Sequence, residues 1–395
     1  MIRTLMAVSA LCFSMPVLAK TISVEAGADA QERLQEALIL AEPGDVVTLG
    51  AGTFELTDGL SLDVDRVTVR GAGMDQTILS FAGQLGAGEG LLVTSDDVVL
   101  RDFAVEDSKG DGIKSKGADR IVYHAVRVEW TGGPKASNGA YGIYPVEASD
   151  ILVQDSVVRG ASDAGIYVGQ SKNIIVRRNT AIENVAGIEI ENSYDAEVTE
   201  NLLNKNTGGI LVFDLPNLPQ MGGHNVLVAR NAIIDNNTAN FAPEGNIVAG
   251  VPAGTGVMVM ANRNVHVTDN AMINNGTTNV MVVAYTQKFD DPKYDPTPRD
   301  VYIADNIYGR TGYAPDFDGG AQLAAAFGGA LPAIIYDELG RGLIVSDEVP
   351  VLGLGLTKVG QPVSEAKPSL YKNSLENAAP LQPVVLPAVM EERLK

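Results

Sequence analysis

Four residues at matching places in successive segments have types that could do chemistry together: Lys114, Tyr144, Tyr167 and Glu189. Each is the second residue after a recurring glycine, in Gly112-Ile113-Lys114, Gly142-Ile143-Tyr144, Gly165-Ile166-Tyr167 and Gly187-Ile188-Glu189. Two positions further on stand Lys116, Val146, Gly169 and Glu191, while Tyr141 comes just before the second glycine and Glu147 closes its segment. Cations, phenols and carboxylates in one patch suit a sugar chain, since tyrosines stack on pyranose rings and charged groups take hydroxyls or carboxylates. Abstracting a proton beside a uronate carboxylate needs positive charge for the enolate-like intermediate and a phenol or amine to move the proton. Lys114 or Lys116 would neutralise; Tyr141, Tyr144 or Tyr167 would carry protons. Glu147, Glu189 and Glu191 are candidate substrate-binding carboxylates. Hydrolysis would instead need two carboxyls about 5 to 9.5 Å apart. Glu189 and Glu191 have that spacing, but two acids on one strand lack an opposed geometry, so lyase- or epimerase-like chemistry ranks ahead. The plain alternative is a solvated face whose Lys–Glu pairs contribute little.

What places these residues together is a repeat. Gly165, Gly187 and Gly209 recur every 22 residues, and the register extends back to Gly90, Gly112 and Gly142 and forward to Gly256 and Asn279, which implies eight coils. A short alternating strand follows each point, as in Ile188-Glu189-Ile190-Glu191. A second strand, such as Asn173-Ile174-Ile175-Val176, comes half a coil later and leads to Asn179, Asn201, Asn231, Asn270 and Asn306. Stacked at coil spacing, these asparagines would bond to one another and to turn backbone, and Asn tolerates the left-handed conformation of a tight turn. Side chains two apart on a strand share a face and equivalent residues of successive coils stack, so the six residues Lys114, Lys116, Tyr144, Tyr167, Glu189 and Glu191 should line one open groove with Tyr141 at its border.

The expected architecture is therefore an all-β, right-handed parallel β-helix over residues 20–310. Its open N-terminal end needs a cover, and 29–41 reads as an amphipathic capping helix with Leu34, Ala37, Leu38 and Ala41 on one side. After about Gly309 the repeat fades, and 311–395 is expected as an irregular extension that packs on or caps the solenoid. Insertions at 130–140, 214–224, 238–255 and 286–299 break the period and should fall as loops on the binding face. Left bare, Leu211, Phe213, Met258, Met260 and Met281 would form an apolar patch, so the insertions or the C-terminal extension should cover them.

Met1 to Ala19 has the form of a secretory signal: Arg3, an apolar run, then Val17-Leu18-Ala19. This predicts a mature N-terminus at Lys20 and a periplasmic or secreted protein, with no apolar run long enough to span a bilayer. The one cysteine, Cys12, lies inside the signal, which excludes a disulfide framework and thiol chemistry from the mature chain. A net charge of −20 disfavours nucleic acid as a partner. It also requires a polyanionic substrate to meet a locally basic groove or a bridging calcium ion, for which Asp107, Asp111, Asp163 and Asp214 are candidate oxygen donors. No other cofactor is evident.

The segment Tyr141-Gly142-Ile143-Tyr144-Pro145-Val146-Glu147 resembles the catalytic coil of mannuronan C5-epimerases, Tyr-Gly-Phe-Asp-Pro-His-Glu. Tyr141, Gly142, Pro145 and Glu147 match, whereas Tyr144 and Val146 stand where that family has its catalytic Asp and His. The Gly-His-Gly and Arg-Ile-Lys motifs of polygalacturonases are absent. Across residues 30–310, stretches such as Gly165-Ile-Tyr-Val-Gly-Gln-Ser-Lys172 and Gly254-Thr-Gly-Val-Met-Val-Met-Ala261 look closer to bacterial parallel β-helix repeat-containing proteins of the pectin-lyase-like superfamily. That resemblance implies export, a β-helix and a possible c-type cytochrome partner, and no settled reaction. The expected function is binding of, and action on, an acidic polysaccharide, with a non-catalytic glycan-binding or assembly scaffold as the alternative.

Overall fold

A computed structural model describes residues 19–374 and 376–394. The expected signal, residues 1–19, thus lies almost wholly outside the described residues. The chain winds as a parallel solenoid whose strands form three long sheets of twelve, twelve and ten members. We call them the front sheet, which carries the Lys-Tyr-Glu row, the back sheet, which follows it in each coil, and the short sheet, which closes the coil. One coil is Ala186–Glu191 in the front sheet, Tyr194–Thr199 in the back sheet and Leu202–Asn204 in the short sheet.

The glycine register holds at all eight points. Leu91, Ile113, Ile143, Ile166, Ile188, Ile210, Val257 and Val280 are direct partners in sequence. The sheet also continues past both ends of that run, through Leu60 on one side and Ile334 and Val351 on the other. Coiling therefore persists beyond residue 310, because Ile334–Tyr336, Ile344–Val345 and Val351–Gly353 still add to the parallel sheets. The glycines are required by close approach. A Cβ on Gly142, Gly165, Gly187 or Gly209 would sit 2.5, 2.9, 2.6 or 2.5 Å from the next register glycine's carbonyl oxygen. Inward side chains stack into aliphatic columns, and Ile143, Ile166, Ile188 and Ile210 are fully buried, each contributing about 1.5–3 kcal/mol.

The asparagine ladder is continuous. Nδ2 of Asn179, Asn201, Asn231 and Asn270 donates to Oδ1 of the next member at 3.0, 3.0, 2.9 and 3.1 Å. The left-handed residue of that turn is not the asparagine, however, but the one before it: Arg178, Glu200, Arg230, Asp269 and Asp305 have φ between 55° and 60°. That twist turns the asparagine inward, where its amide serves the backbone. A second ladder, Asn184-Asn206-Asn236-Asn275, runs along the turn into the front sheet. Between the two ladders lies the short sheet, absent from the sequence expectation because its strands are mostly three residues long and show no full alternation.

The helix Ala30–Leu40 covers the first coils with Ala30, Leu34, Ala37 and Leu38 buried. At the other extremity the last residues run back along the outside of the back sheet, where Met390 packs on Val99, Val122, Leu152 and Ile175. Among the described residues no helix is long and apolar enough to cross a membrane.

Candidate functional site

All four insertions flank the front sheet. Residues 214–223 and 284–298 leave its strands toward the back sheet, while 130–140 and 235–254 enter from the short sheet. They rise along both edges and enclose part of the face between them. Leu211, Phe213, Met258, Met260 and Met281 are buried beneath Leu215, Val248, Val251 and Tyr285 from the insertions and Ala324 and Leu331 from the C-terminal region.

The charged row is divided by this cover. Lys114 pairs with Tyr144 and Tyr167 with Glu189 as register partners, as the repeat requires. At the open end Lys114 Nζ donates to Glu89 Oε1 at 2.9 Å, lies 3.6 Å from Asp111, and sits 4.9 Å from the Tyr144 ring centroid. Burial alone would lower this ammonium's pKa, but the Glu89 hydrogen bond and the charges of Asp111 and Glu89 outweigh it and hold it above its ordinary value. Lys116 is exposed and faces Glu147 at 3.5 Å. Tyr141, expected at the border, is central. Its ring stands 4.5 Å from those of both Tyr144 and Tyr167, which are 5.0 Å apart.

At the covered end Tyr167, Glu189 and Glu191 are buried, so the six row residues do not share one open groove. The Tyr167 hydroxyl donates to Glu191 Oε1 at 2.7 Å, and Glu189 Oε2 is buried without a hydrogen-bond partner. Asp163, from the turn that enters the preceding front strand, completes the group and accepts from Asn246 Nδ2 at 3.1 Å. Asp163, Glu189, Glu191 and Tyr141 line a pocket of about 430 Å³, roofed by 215–218 and 245–248 and overlooked by Tyr285 and Lys288. Burial raises all three carboxyls, aided for Asp163 and Glu189 by the neighbouring acids and for Glu191 by Asp214: Asp163 to about 7, Glu191 to about 7, and Glu189 well above its ordinary value. Burial and the same acids push the Tyr141 and Tyr167 phenols up. They are proton donors here, not phenolates.

The roof is fixed by polar contacts. Asn192 Nδ2 donates to the carbonyls of Leu215 (2.8 Å) and Gln220 (2.9 Å), and its Oδ1 accepts from Leu215 N at 2.8 Å. Asn240 holds Val248 and Val251 in the same way, at 2.8 and 2.9 Å. The sequence marks Asp163 only as a turn acid and candidate calcium donor, not as a partner of Glu189 and Glu191, and Asn246 and Lys288 carry no signal. Of the calcium candidates, Asp107 caps Thr131, Asp111 faces Lys114, and Asp214 accepts from Gly222 and Gly223. Among the described residues no three His, Cys, Asp or Glu side chains form a group that could hold a metal ion.

Residues 62–218 match the family model described as right handed beta helix region. The chain has a right-handed β-helix fold. No curated relative matches this β-helix protein. Among solved structures it is similar to the A-module of a mannuronan C-5 epimerase from Azotobacter vinelandii, at 18% identity and TM-score 0.59 over 82% of this chain and 88% of that one. It is similar also to a polygalacturonase from Erwinia carotovora, at 13% identity and TM-score 0.54 over 84% and 95%. A third is a DFA-IIIase from Arthrobacter chlorophenolicus, at 14% identity and TM-score 0.51 over 82% and 93%. At these identities the likeness is one of fold. The site must therefore be argued from its own residues.

Proposed function

We propose that this β-helix protein binds a carbohydrate chain across the front sheet and acts on a glycosidic bond through Asp163, Glu189 and Glu191. The observation that carries this reading is three carboxyls sharing one roofed pocket, with two of them balanced near neutral pH. Such a group holds a protonated acid and an ionised carboxylate side by side, which is what protonating a leaving oxygen and stabilising or attacking the sugar carbon require. Glu189 is the proton donor, since burial favours its neutral form. The ionised carboxylate is shared between Glu191, held by the Tyr167 hydroxyl, and Asp163, which lines the same pocket from the neighbouring coil, so the acid and its partner are not confined to one strand. The sugar at this point is uncharged, because a uronate would meet three acids, and Lys114 is already engaged by Glu89 and Asp111.

Elimination or C5 epimerisation of a uronate is the second reading, supported by the Tyr141-Tyr144-Tyr167 cluster beside Lys114. The deciding experiment incubates the protein with neutral and acidic polysaccharides and follows reducing ends, unsaturated-product absorbance and proton exchange at C5. Release of reducing ends that is lost in Glu189→Gln and Glu191→Gln supports the proposal; unsaturated products or exchange without new reducing ends overturn it. Should there be binding and no turnover, the non-catalytic glycan-binding role, beside the c-type cytochrome partner implied by the resemblance, takes its place. Export belongs to either reading, with Lys20 as the mature N-terminus.

A further inference from the structure

The front-sheet insertion 214–223 has two sides. One lines the carboxyl pocket; the other, through Asp214 and Gly222, lines a second pocket of about 400 Å³ at the edge of the back sheet. Arg263, Arg299 and Arg341 occupy the same register position in three successive coils at this edge. Coil spacing is about 4.8 Å, so the register brings three arginines to one edge of the sheet, where like charges favour a counter-ion. Lys293 joins them as a fourth cation in the lining.

The acids present do not neutralise the stack. Asp295 Oδ2 is shared, 2.8 Å from Arg299 and 3.8 Å from Arg341. Asp214 turns both oxygens to the amides of Gly222 and Gly223, at 3.0 and 2.8 Å. Asp300 also lines the pocket, beside Gly342. Among the described residues Arg263 and Lys293 have no carboxylate partner, and Arg299 Nε is buried with no hydrogen-bond acceptor. In a chain of net charge −20, a pocket lined by four cations against three acids, with one buried arginine N–H lacking an acceptor, is a place for an oxyanion.

We propose that this arginine pocket binds the oxyanion of an acidic sugar unit in the same chain whose uncharged unit enters the carboxyl pocket across the 214–223 wall. The inference rests on the carbohydrate reading above and names its substrate class: a glycan in which anionic and neutral units are combined. Fork-shaped guanidinium groups take a carboxylate or a sulfate ester in two-point fashion. Upstream in the same column His224 and Tyr194 are stacked with ring centroids 4.5 Å apart, a platform for a neighbouring ring.

The test is calorimetric titration of the mature chain with inorganic sulfate, with an oligosaccharide of alternating uronate and neutral units (the uronate oligosaccharide) and with its carboxyl-reduced neutral counterpart. The variants are Arg263→Ala/Arg341→Ala, whose side chains are exposed, and Lys293→Ala, with melting temperature as the check on folding. The uronate oligosaccharide should bind the wild type about 10-fold more tightly than the neutral one, with a preference that weakens in salt and disappears in the double variant. Sulfate bound more tightly than the uronate, and lost in the same variant, assigns the pocket to a sulfate ester. Equal affinity for charged and neutral sugars, or equal anion affinity in wild type and variants, overturns the proposal. Turnover without anionic preference would sink the arginine pocket and leave the carboxyl chemistry standing; anion binding without turnover does the reverse.

Discussion

The Tyr167 hydroxyl reaches Glu191, its neighbour one coil on and two residues along, by laying its ring across Gly169, where a Cβ would overlap the ring. Gly169 is therefore the vacant position that lets a phenol hydrogen-bond an acid it does not directly face. Gly169→Ala should displace Tyr167 and free Glu191 Oε1. Tyr167→Phe removes the same bond without moving backbone. Because that bond lowers the Glu191 pKa against the rise caused by burial, both variants should titrate Glu191 higher than wild type in carboxyl ¹³C NMR. An unmoved titration would show that the bond does not control this acid.

Asp163 and Glu191 carry pKa values near 7, against ordinary values of 3.8 and 4.5. The folded chain thus keeps protons that the unfolded chain releases, so stability is fully present below about pH 4 and declines as pH rises toward about 7. Scanning calorimetry across that window should show the decline. Asp163→Asn or Glu191→Gln should flatten it and gain about 1–3 kcal/mol at pH 8, with the coupling between the acids setting the smaller end. A variant that loses stability at pH 8 would contradict the origin given for these shifts.

Asn201 donates to Val176 O and Asn231 Oδ1 at 3.0 Å each and accepts from Asn179, all in buried surroundings. Asn201→Ala leaves several of these groups unpaired and should cost about 3 kcal/mol in urea unfolding. Leu202→Ala, on the neighbouring half-exposed position, should cost under about 1 kcal/mol. Equal losses would mean that the ladder contributes nothing special.

Asn192 joins the front sheet to the roof through Leu215 and Gln220. Asn192→Ala should loosen 214–223 while the coils stay intact. Limited proteolysis should then cut within that segment first, carbohydrate affinity should fall, and the melting temperature should drop by what the lost buried bonds contribute. If cleavage instead begins in the coils, the residue supports the solenoid and not the pocket.

The sequence by itself determined the coil. A spacing of 22, an outward row that alternates with aliphatic columns, and asparagines at one turn are properties of short stretches read in order, and parallel stacking turns them directly into geometry. Lys114 beside Tyr144, and Tyr167 beside Glu189, followed from that alone. Tertiary structure decided the chemistry. Whether Glu189 is a surface acid or a buried one depends on 214–223 and 235–254 folding back over it, through contacts such as Asn192–Leu215 and Asn246–Asp163, the latter 83 residues apart. No local pattern encodes how an irregular loop lies, because its position is set by a few polar bonds and by the apolar area it covers. The same separation hid the grouping of Asp163 with Glu189 and Glu191, and it hid the arginine column until insertions of unequal length had been wound into register. A repeat fixes what its own strands place side by side; its loops fix dielectric and access, and those settle which side chains exchange protons.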